Sequence, residues 1–413
     1  MNNFHRVGGV LSCENVPLTS IIKDLGTPTY VYSKASIVNN LELFIGALDG
    51  VDALLCFSVK SNSNLSILRL VAGKSAGADI VSGGELYCAL KAGIDPRKIV
   101  FSGVGKTSDE LAYALKTGIR MFNVESEPEL LQLAAIAESL GTIAPIALRV
   151  NPDIDAGAHY FTTTAKKENK FGLPFKTALS VYAKAASLPF INPVGIDVHL
   201  GSPILTLEPY KKALDLLSGL IAELRSQSIA LQTLDIGGGP GIVYKDEKPF
   251  TPIQFADLVV PYVNRLKCGL IVEPGRFIVG NSGVLLTTVT YIKKTDDKIF
   301  YICDAGMSDL IRPPLYGAFH EIVPVVAPRP SSMIIADIVG PICESSDFLA
   351  KDRSIELVEQ ASRLAVKSAG AYGFSMSSQY NSRPRACEVL VDGQSYSCIR
   401  KRETYEDLVR NQL

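Results

Sequence analysis

Short continuous apolar runs, rich in Val, Ile and Leu, recur through the first two-thirds of the chain and are separated by stretches in which apolar residues return every three or four positions. The runs fall at 54–59, 78–81, 99–102, 121–124, 146–150, 194–199, 233–236 and 270–273. Continuous rather than alternating hydrophobicity is the pattern of strands covered on both faces, as in a parallel sheet. Helical periodicity follows in the intervals, for example at 66–72, 85–92, 109–117 and 128–140. Strands alternating with helices imply right-handed crossovers, and eight such units predict an α/β fold with a closed (β/α)8 TIM-like barrel. An open doubly wound sheet is the alternative topology for the same pattern.

After residue 280 the period changes. Residues 284–293, 298–303, 333–339, 363–367, 388–391 and 396–400 read as strands with turn signals such as Asp392-Gly393 between them and few helical intervals. This predicts a second, C-terminal β-rich domain of sandwich-like or barrel-like form. Residues 1–36 are punctuated by Gly and Pro and hold one strand-like run at 29–32 that has no place in a barrel. The predicted plan is therefore an N-terminal strand segment (1–36) joining the β-rich domain, a barrel (37–280) and the C-terminal β-rich domain (281–413). The stretch 152–171 is long for a barrel loop, and loops of that length are commonly lids or binding loops; a lid is expected there.

Composition narrows the function. The 413 residues are 47% hydrophobic, ample for two cores, and 41 basic residues balance 42 acidic ones. Near-neutral charge without long runs of one sign gives no footprint for nucleic acid. The start of the sequence lacks a basic segment followed by an apolar core, and no run is long enough to span a bilayer, so a cytoplasmic protein without a membrane partner is expected. The eight cysteines form no C-x-x-C pair and no Cys/His cluster, which predicts neither a disulfide framework nor a metal site.

In a (β/α)8 barrel the chemistry lies at the carboxyl ends of the strands. Those ends carry Lys60, then Ser82 with Gly83 and Gly84, Asn123, Arg149 with Asn151, His199 with Ser202, Gly237, Gly238 and Gly239, and Glu273 with Arg276. Lys60 alone is better read as an ion-paired or snorkelling side chain. Together with an imidazole, a glycine-rich turn and a carboxylate, it suits a phosphorylated aldehyde cofactor. The amine condenses with the aldehyde, glycine amides close on phosphate, Glu273 keeps a pyridine nitrogen protonated and His199 lies against the ring. The G-G-G-x-G turn taken alone is equally consistent with a tight turn and matches neither a Walker loop nor a strict G-x-G-x-x-G. Asp79 is a weaker candidate, able to orient Lys60 or His199, or merely to cap a helix.

The motifs FSVKSN around Lys60, GADIVSGGEL (77–86), HLGS (199–202), GGGPG (237–241) and EPGR (273–276) resemble the barrel of the alanine-racemase-like, fold-type III pyridoxal-phosphate decarboxylases. Within that group, DAGMSDLIRPPLYGAFHEI (304–322), GPICESSDFLAKD (340–352) and AGAYGFSMSSQYNSRPR (369–385) are similar to the diaminopimelate decarboxylase family, and the resemblance runs essentially the whole chain. Two departures stand out: Phe57-Ser58 replaces the family's usual Tyr-Ala pair, and Pro203 replaces the Gln that usually follows the HLGS motif.

The resemblance implies pyridoxal 5'-phosphate as cofactor and decarboxylation of meso-2,6-diaminopimelate to L-lysine. It implies Lys60 and Cys343 as the catalytic pair, with Cys343 the proton donor. It places Lys60, His199, Ser202, Gly237, Gly238, Gly239, Glu273, Gly275, Arg276 and Tyr372 on the cofactor, and Arg276, Arg312, Tyr316, Glu344 and Tyr372 on the substrate. It also implies a homodimer with shared active sites. Without it, Arg312 reads as a loop ion pair and Tyr316 and Tyr372 as core aromatics. Alternatives are a related decarboxylase of ornithine, arginine, carboxynorspermidine or a D-amino acid, whose surroundings at Arg312 and Glu344 should differ, or a non-catalytic paralogue, which should have lost Lys60 or Cys343.

Overall fold

All eight apolar runs form strands of one parallel sheet in the computed structural model, which describes residues 3–157 and 169–413. The centre of the expected lid, 158–168, lies outside the described residues. The strands are β1 (Ala53–Ser58), β2 (Gly77–Ile80), β3 (Ile99–Phe101), β4 (Met121–Val124), β5 (Ala144–Asn151), β6 (Ile191–Asp197), β7 (Thr233–Asp235) and β8 (Gly269–Val272). Each pairs with its successor in parallel, and β8 pairs back onto β1, so the sheet closes and the open-sheet alternative falls away.

Cys56, Val100, Met121, Ala147 and Ile271 pack inside the barrel unit, and the intervening helices begin where polar side chains can hold their first N–H groups. Ser82 and Ser126 each accept from the third residue of the following helix, and Thr107 and Thr251 form reciprocal capping boxes with Glu110 and Gln254.

The chain divides into two compact units. One is residues 41–242 with 248–277, the other residues 1–40, 243–247 and 278–413. In the second unit the strand order is Phe348–Glu356, Met333–Val339, Ile299–Cys303, Gly283–Lys294, Thr29–Ser33, Cys387–Asp392, Ser395–Arg400. Thr29–Ser33 is thus a central strand, antiparallel to Gly283–Lys294 and parallel to Cys387–Asp392. Val31, Val284, Leu286, Val389 and Val391 form its core with the N-terminal Phe4, Leu11 and Leu18.

Phe348–Glu356 has no counterpart in the sequence reading. It is the edge strand, its middle is exposed, and FLAKDRSIE lacks the apolar density that marked the others. Residues 243–247 also group with the β-rich unit, where Asn281 Nδ2 donates to the Val243 carbonyl at 3.0 Å and the Arg312 guanidinium lies 4.9 Å over the Tyr244 ring. Among the described residues no helix is long and apolar enough to cross a membrane.

Candidate active site

Lys60 sits in a single 3₁₀ turn, Val59–Ser61, directly after β1. The β1–β2 register sets Ser58 beside Asp79, and Lys60 Nζ lies 2.7 Å from Asp79 Oδ2. Asp79 is fully buried, whereas a third of the Lys60 side chain reaches solvent. Of the two groups Asp79 was expected to orient, it meets Lys60. Ser58 Oγ lies 2.8 Å from the same Asp79 oxygen and 2.9 Å from the Glu273 carbonyl, so the Ser58 departure ties β1 to β2 and to the end of β8.

Four buried carboxylates gather at the strand ends: Asp79 on β2, Asp197 closing β6, Asp235 closing β7 and Glu273 just past β8. Burial, then the charges of Asp235, Asp79 and Asp197, push the Glu273 carboxyl well above its usual range. Burial and Asp235 do the same to Asp197, and Asp235 itself is pushed up to about 6, burial being the largest cause. Arg149 approaches Asp197 at 3.9 Å but is engaged at 2.6 Å by Glu125. One oxygen each of Asp79, Asp197 and Glu273 has no hydrogen-bond partner among the described residues.

Buried acceptors of this kind call for a donor, and preferably a positive one. A protonated pyridine nitrogen supplies both, so the donor set fits pyridoxal phosphate. Glu273 and Lys60 stand among the donors and acceptors that the sequence reading set against the ring nitrogen and the aldehyde.

The glycine turn has a different emphasis from the one its sequence suggested. The Gly237 amide donates to Asp235 Oδ1 and the Gly238 amide to His199 Nδ1, both at 3.0 Å. These two N–H groups therefore shape the site's own side chains. The glycines are required by space and conformation: a Cβ on Gly238 would stand 2.4 Å from the Glu273 carbonyl oxygen, and Gly237 and Gly239 have φ of +67° and +111°. Accepting from Gly238 leaves the His199 proton on Nε2, and burial followed by Arg149 and Lys60 holds its pKa well below the ordinary value, so the imidazole is neutral. Beyond the turn, Arg276 Nε reaches Ser202 Oγ at 3.3 Å, and a Cβ on Gly275 would lie 2.9 Å from Ser58 Cβ.

The remaining candidates belong to the β-rich unit. Cys343 and Glu344 lie in the loop between Met333–Val339 and Phe348–Glu356, which Asp347 braces by accepting from the amides of Met307 (2.6 Å) and Ile342 (2.5 Å). Both side chains are exposed, and the Cys343 amide donates to Asn381 Oδ1 at 2.8 Å. Hydrogen bonds from the Ser346 hydroxyl and from Tyr380 Oη (2.8 Å) hold the Glu344 carboxyl below its usual range. Arg312 is buried at the start of the short helix Arg312–Tyr316, with Tyr316 half-buried at its end. Tyr372 is half-buried and left-handed at φ +57°, a conformation rare for a bulky side chain and concentrated at functional sites.

Sequence reasoning missed Asp197, Asp235 and Glu125 in the barrel and His320, Ser346 and Tyr380 in the second unit. For the first two a signal existed: each is a charged residue within a run read as a strand, two positions before the His199 and Gly237 that drew notice.

The family described as pyridoxal-dependent decarboxylase, pyridoxal binding domain, matches residues 34–280. A diaminopimelate decarboxylase of Pseudomonas fluorescens is 49% identical over 409 residues, 99% of this chain and 98% of the relative. The crystal structure of diaminopimelate decarboxylase from Helicobacter pylori complexed with L-lysine superposes with a TM-score of 0.92 at 43% identity, covering 95% of this chain and 98% of that one. The M. jannaschii diaminopimelate decarboxylase, also in complex with L-lysine, gives 0.95 at 34% identity over 100% and 98%. With the barrel, the lysine and its carboxylates in place, this chain belongs to the diaminopimelate decarboxylase family of pyridoxal-phosphate-dependent enzymes.

Proposed function

We propose that this protein decarboxylates meso-2,6-diaminopimelate to L-lysine and carbon dioxide, the last step of lysine biosynthesis. The observation that carries the chemistry is the meeting of Lys60 with a buried carboxylate cluster in which a Glu273 oxygen has no partner. Full-length similarity to diaminopimelate decarboxylases carries the substrate. Pyridoxal phosphate, when bound, supplies an electron sink for the pair released as the α-carboxylate departs.

The chain's own residues then divide the work. Lys60 would hold the cofactor by its amine, Glu273 would keep the ring nitrogen protonated, and neutral His199 would lie against the ring. Ser202, Gly237, Gly238, Gly239, Gly275, Arg276 and Tyr372 are the residues that would hold the cofactor beside them. Arg276, Arg312 and Tyr316 grip the distal carboxylate of the substrate, Glu344 its distal amine, and Tyr372 contacts the substrate as well. The Cys343 thiol delivers the proton to the α-carbon.

A site built around arginines leaves them unpaired when the distal carboxylate is missing, which is worth on the order of 10⁴-fold in discrimination. Carbon dioxide release from diaminopimelate, set against ornithine, arginine and D-lysine, tests the assignment; equal or faster release from one of the others discards it.

We further propose a cytoplasmic homodimer whose active sites combine Cys343 and Glu344 of one subunit with Lys60 of the other. The family resemblance supports this. Mixing Lys60→Ala with Cys343→Ala protein should restore activity, and no recovery after verified subunit exchange removes the shared site.

A further inference from the structure

His320 lies eight residues beyond Arg312 and is fully buried. Its ring sits between two groups whose hydrogen-bonding roles are fixed: Arg312 Nη1 is 2.8 Å from Nε2, and the Lys367 carbonyl oxygen is 2.8 Å from Nδ1. A guanidinium only donates and a carbonyl only accepts. The imidazole is therefore the neutral tautomer with its proton on Nδ1, since an imidazolium would set N–H against N–H.

The bridge is itself held rigidly. His320 lies two residues before the strand Ile322–Pro324, which pairs with Arg363–Val366, so the Lys367 carbonyl is fixed to the same ladder. The Lys367 amide donates to the Glu321 carbonyl at 2.8 Å, and Lys367 Nζ pairs with the Glu321 carboxylate at 2.7 Å. Arg353 Nη1 donates to the His320 backbone carbonyl at 2.6 Å and its guanidinium covers the Phe319 ring at 4.1 Å. Tyr244 packs edge-on to the imidazole at 5.5 Å while its face lies 4.9 Å from the Arg312 guanidinium. The guanidinium is thus located by an aromatic face on one side and an aimed nitrogen on another.

We infer that His320 is a positioning residue that sets the direction of Arg312 and thereby makes the site selective for ligands with a distal carboxylate. The inference rests on the proposed role of Arg312 and adds to it the residue that orients the fork. A planar, bidentate donor gains from orientation more than a point charge does. Removing the acceptor at Nε2 takes away one of the contacts that direct the guanidinium, and a charge-assisted hydrogen bond of this type corresponds to about ten- to hundredfold in affinity.

The test uses holoenzyme and two ligands that differ in the carboxylate, L-lysine and 1,5-diaminopentane, with binding measured by titration calorimetry for wild type, His320→Phe, His320→Gln and Arg312→Met. The preference for lysine should fall about ten- to hundredfold in His320→Phe and at least as far in Arg312→Met. It should recover in His320→Gln, whose amide can accept from the guanidinium and donate to the Lys367 carbonyl together. With diaminopimelate, His320→Phe should raise KM while kcat changes little. A ratio of the two dissociation constants does not depend on the folded fraction, so poor folding cannot imitate the result. If His320→Phe leaves the ratio unchanged while Arg312→Met collapses it, His320 only packs and the inference fails while the role of Arg312 stands. If Arg312→Met also leaves the ratio unchanged, the carboxylate-gripping role falls and the inference falls with it.

Discussion

Asp235→Asn should stabilise the cofactor-free protein at neutral and alkaline pH and do almost nothing near pH 4. Asp235 is wholly buried at the end of β7, where Oδ1 accepts from Gly237 and Oδ2 from Asn123 Nδ2 at 3.1 Å. Its folded pKa is pushed from 3.8 up to about 6, chiefly by burial. A carboxyl raised in the folded state binds more protons folded than unfolded between those two values, so stability falls as pH rises through them and the loss is complete above the folded pKa. Two units at about 1.4 kcal/mol each set the cost at about 3 kcal/mol, and relaxation of the coupled cluster makes about 2 kcal/mol a better working figure.

The asparagine fits the same geometry. Its oxygen takes the Gly237 amide, and a flip of Asn123, whose Oδ1 has no partner, presents an acceptor to the new amide and to the Ser102 hydroxyl that now accepts from Nδ2. The measurement is thermal unfolding of wild type and variant without cofactor, from about pH 4 to about pH 8, read as the difference in Tm. The difference cancels His199, whose lowered folded pKa works oppositely and removes stability from both proteins as pH falls below about 6.5. For a unit of this size about 2 kcal/mol corresponds to about 4–8 °C. A Tm difference that is flat with pH, or negative at pH 8, refutes the account of the carboxylate cluster.

Lys60→Ala should reduce carbon dioxide release from diaminopimelate by at least about 10³-fold, because it removes the amine nucleophile; activity within tenfold of wild type would move the reaction elsewhere. Lys106→Met should lower unfolding free energy by about 3–5 kcal/mol in urea titrations, since the ammonium is wholly buried against Glu129 and the carbonyls of Gly103 and Asn123, and its removal strands a buried carboxylate. Tyr380→Phe should move the acid limb of kcat/KM toward higher pH, because the phenol helps hold the Glu344 carboxyl ionised and the grip on the distal amine is lost as pH falls through that pKa. An unmoved limb would mean that Glu344 does not carry the amine.

Where burial on both faces made a segment uniformly apolar, the sequence was readable to within two or three residues at most ends: all eight barrel strands were marked this way. The edge strand Phe348–Glu356 was not, because half its positions face solvent and nothing in FLAKDRSIE distinguishes it from a loop. Chemistry followed the same division. Lys60, His199 and Glu273 stood out as polar residues at the carboxyl ends of apolar runs. Asp197 and Asp235 were hidden because they lie inside those runs, and a carboxylate there carries no mark of function until the barrel closes and brings the strand ends together. His320 was hidden for another reason: its partners, Arg312 and the Lys367 carbonyl, are 8 and 47 residues away, and a backbone acceptor leaves no mark in sequence.

The glycine turn shows how a recognisable motif can carry a second labour that its sequence does not announce. A run of glycines invites the inference that their amides hold an anion, yet Gly237 and Gly238 spend theirs on Asp235 and His199. The consequence is electrostatic. The Gly237 amide lowers the cost of keeping Asp235 ionised, and ionised Asp235 raises Glu273. The Gly238 amide meanwhile fixes His199 as a neutral acceptor at Nδ1. The turn therefore tunes a carboxylate and an imidazole at once, leaving Glu273 prepared to accept a positively charged ring nitrogen while His199 adds no competing charge. Replacing Gly238 by any other residue would force its Cβ into the Glu273 carbonyl oxygen, so the turn, the imidazole and the carboxylate form one unit that has to be built together.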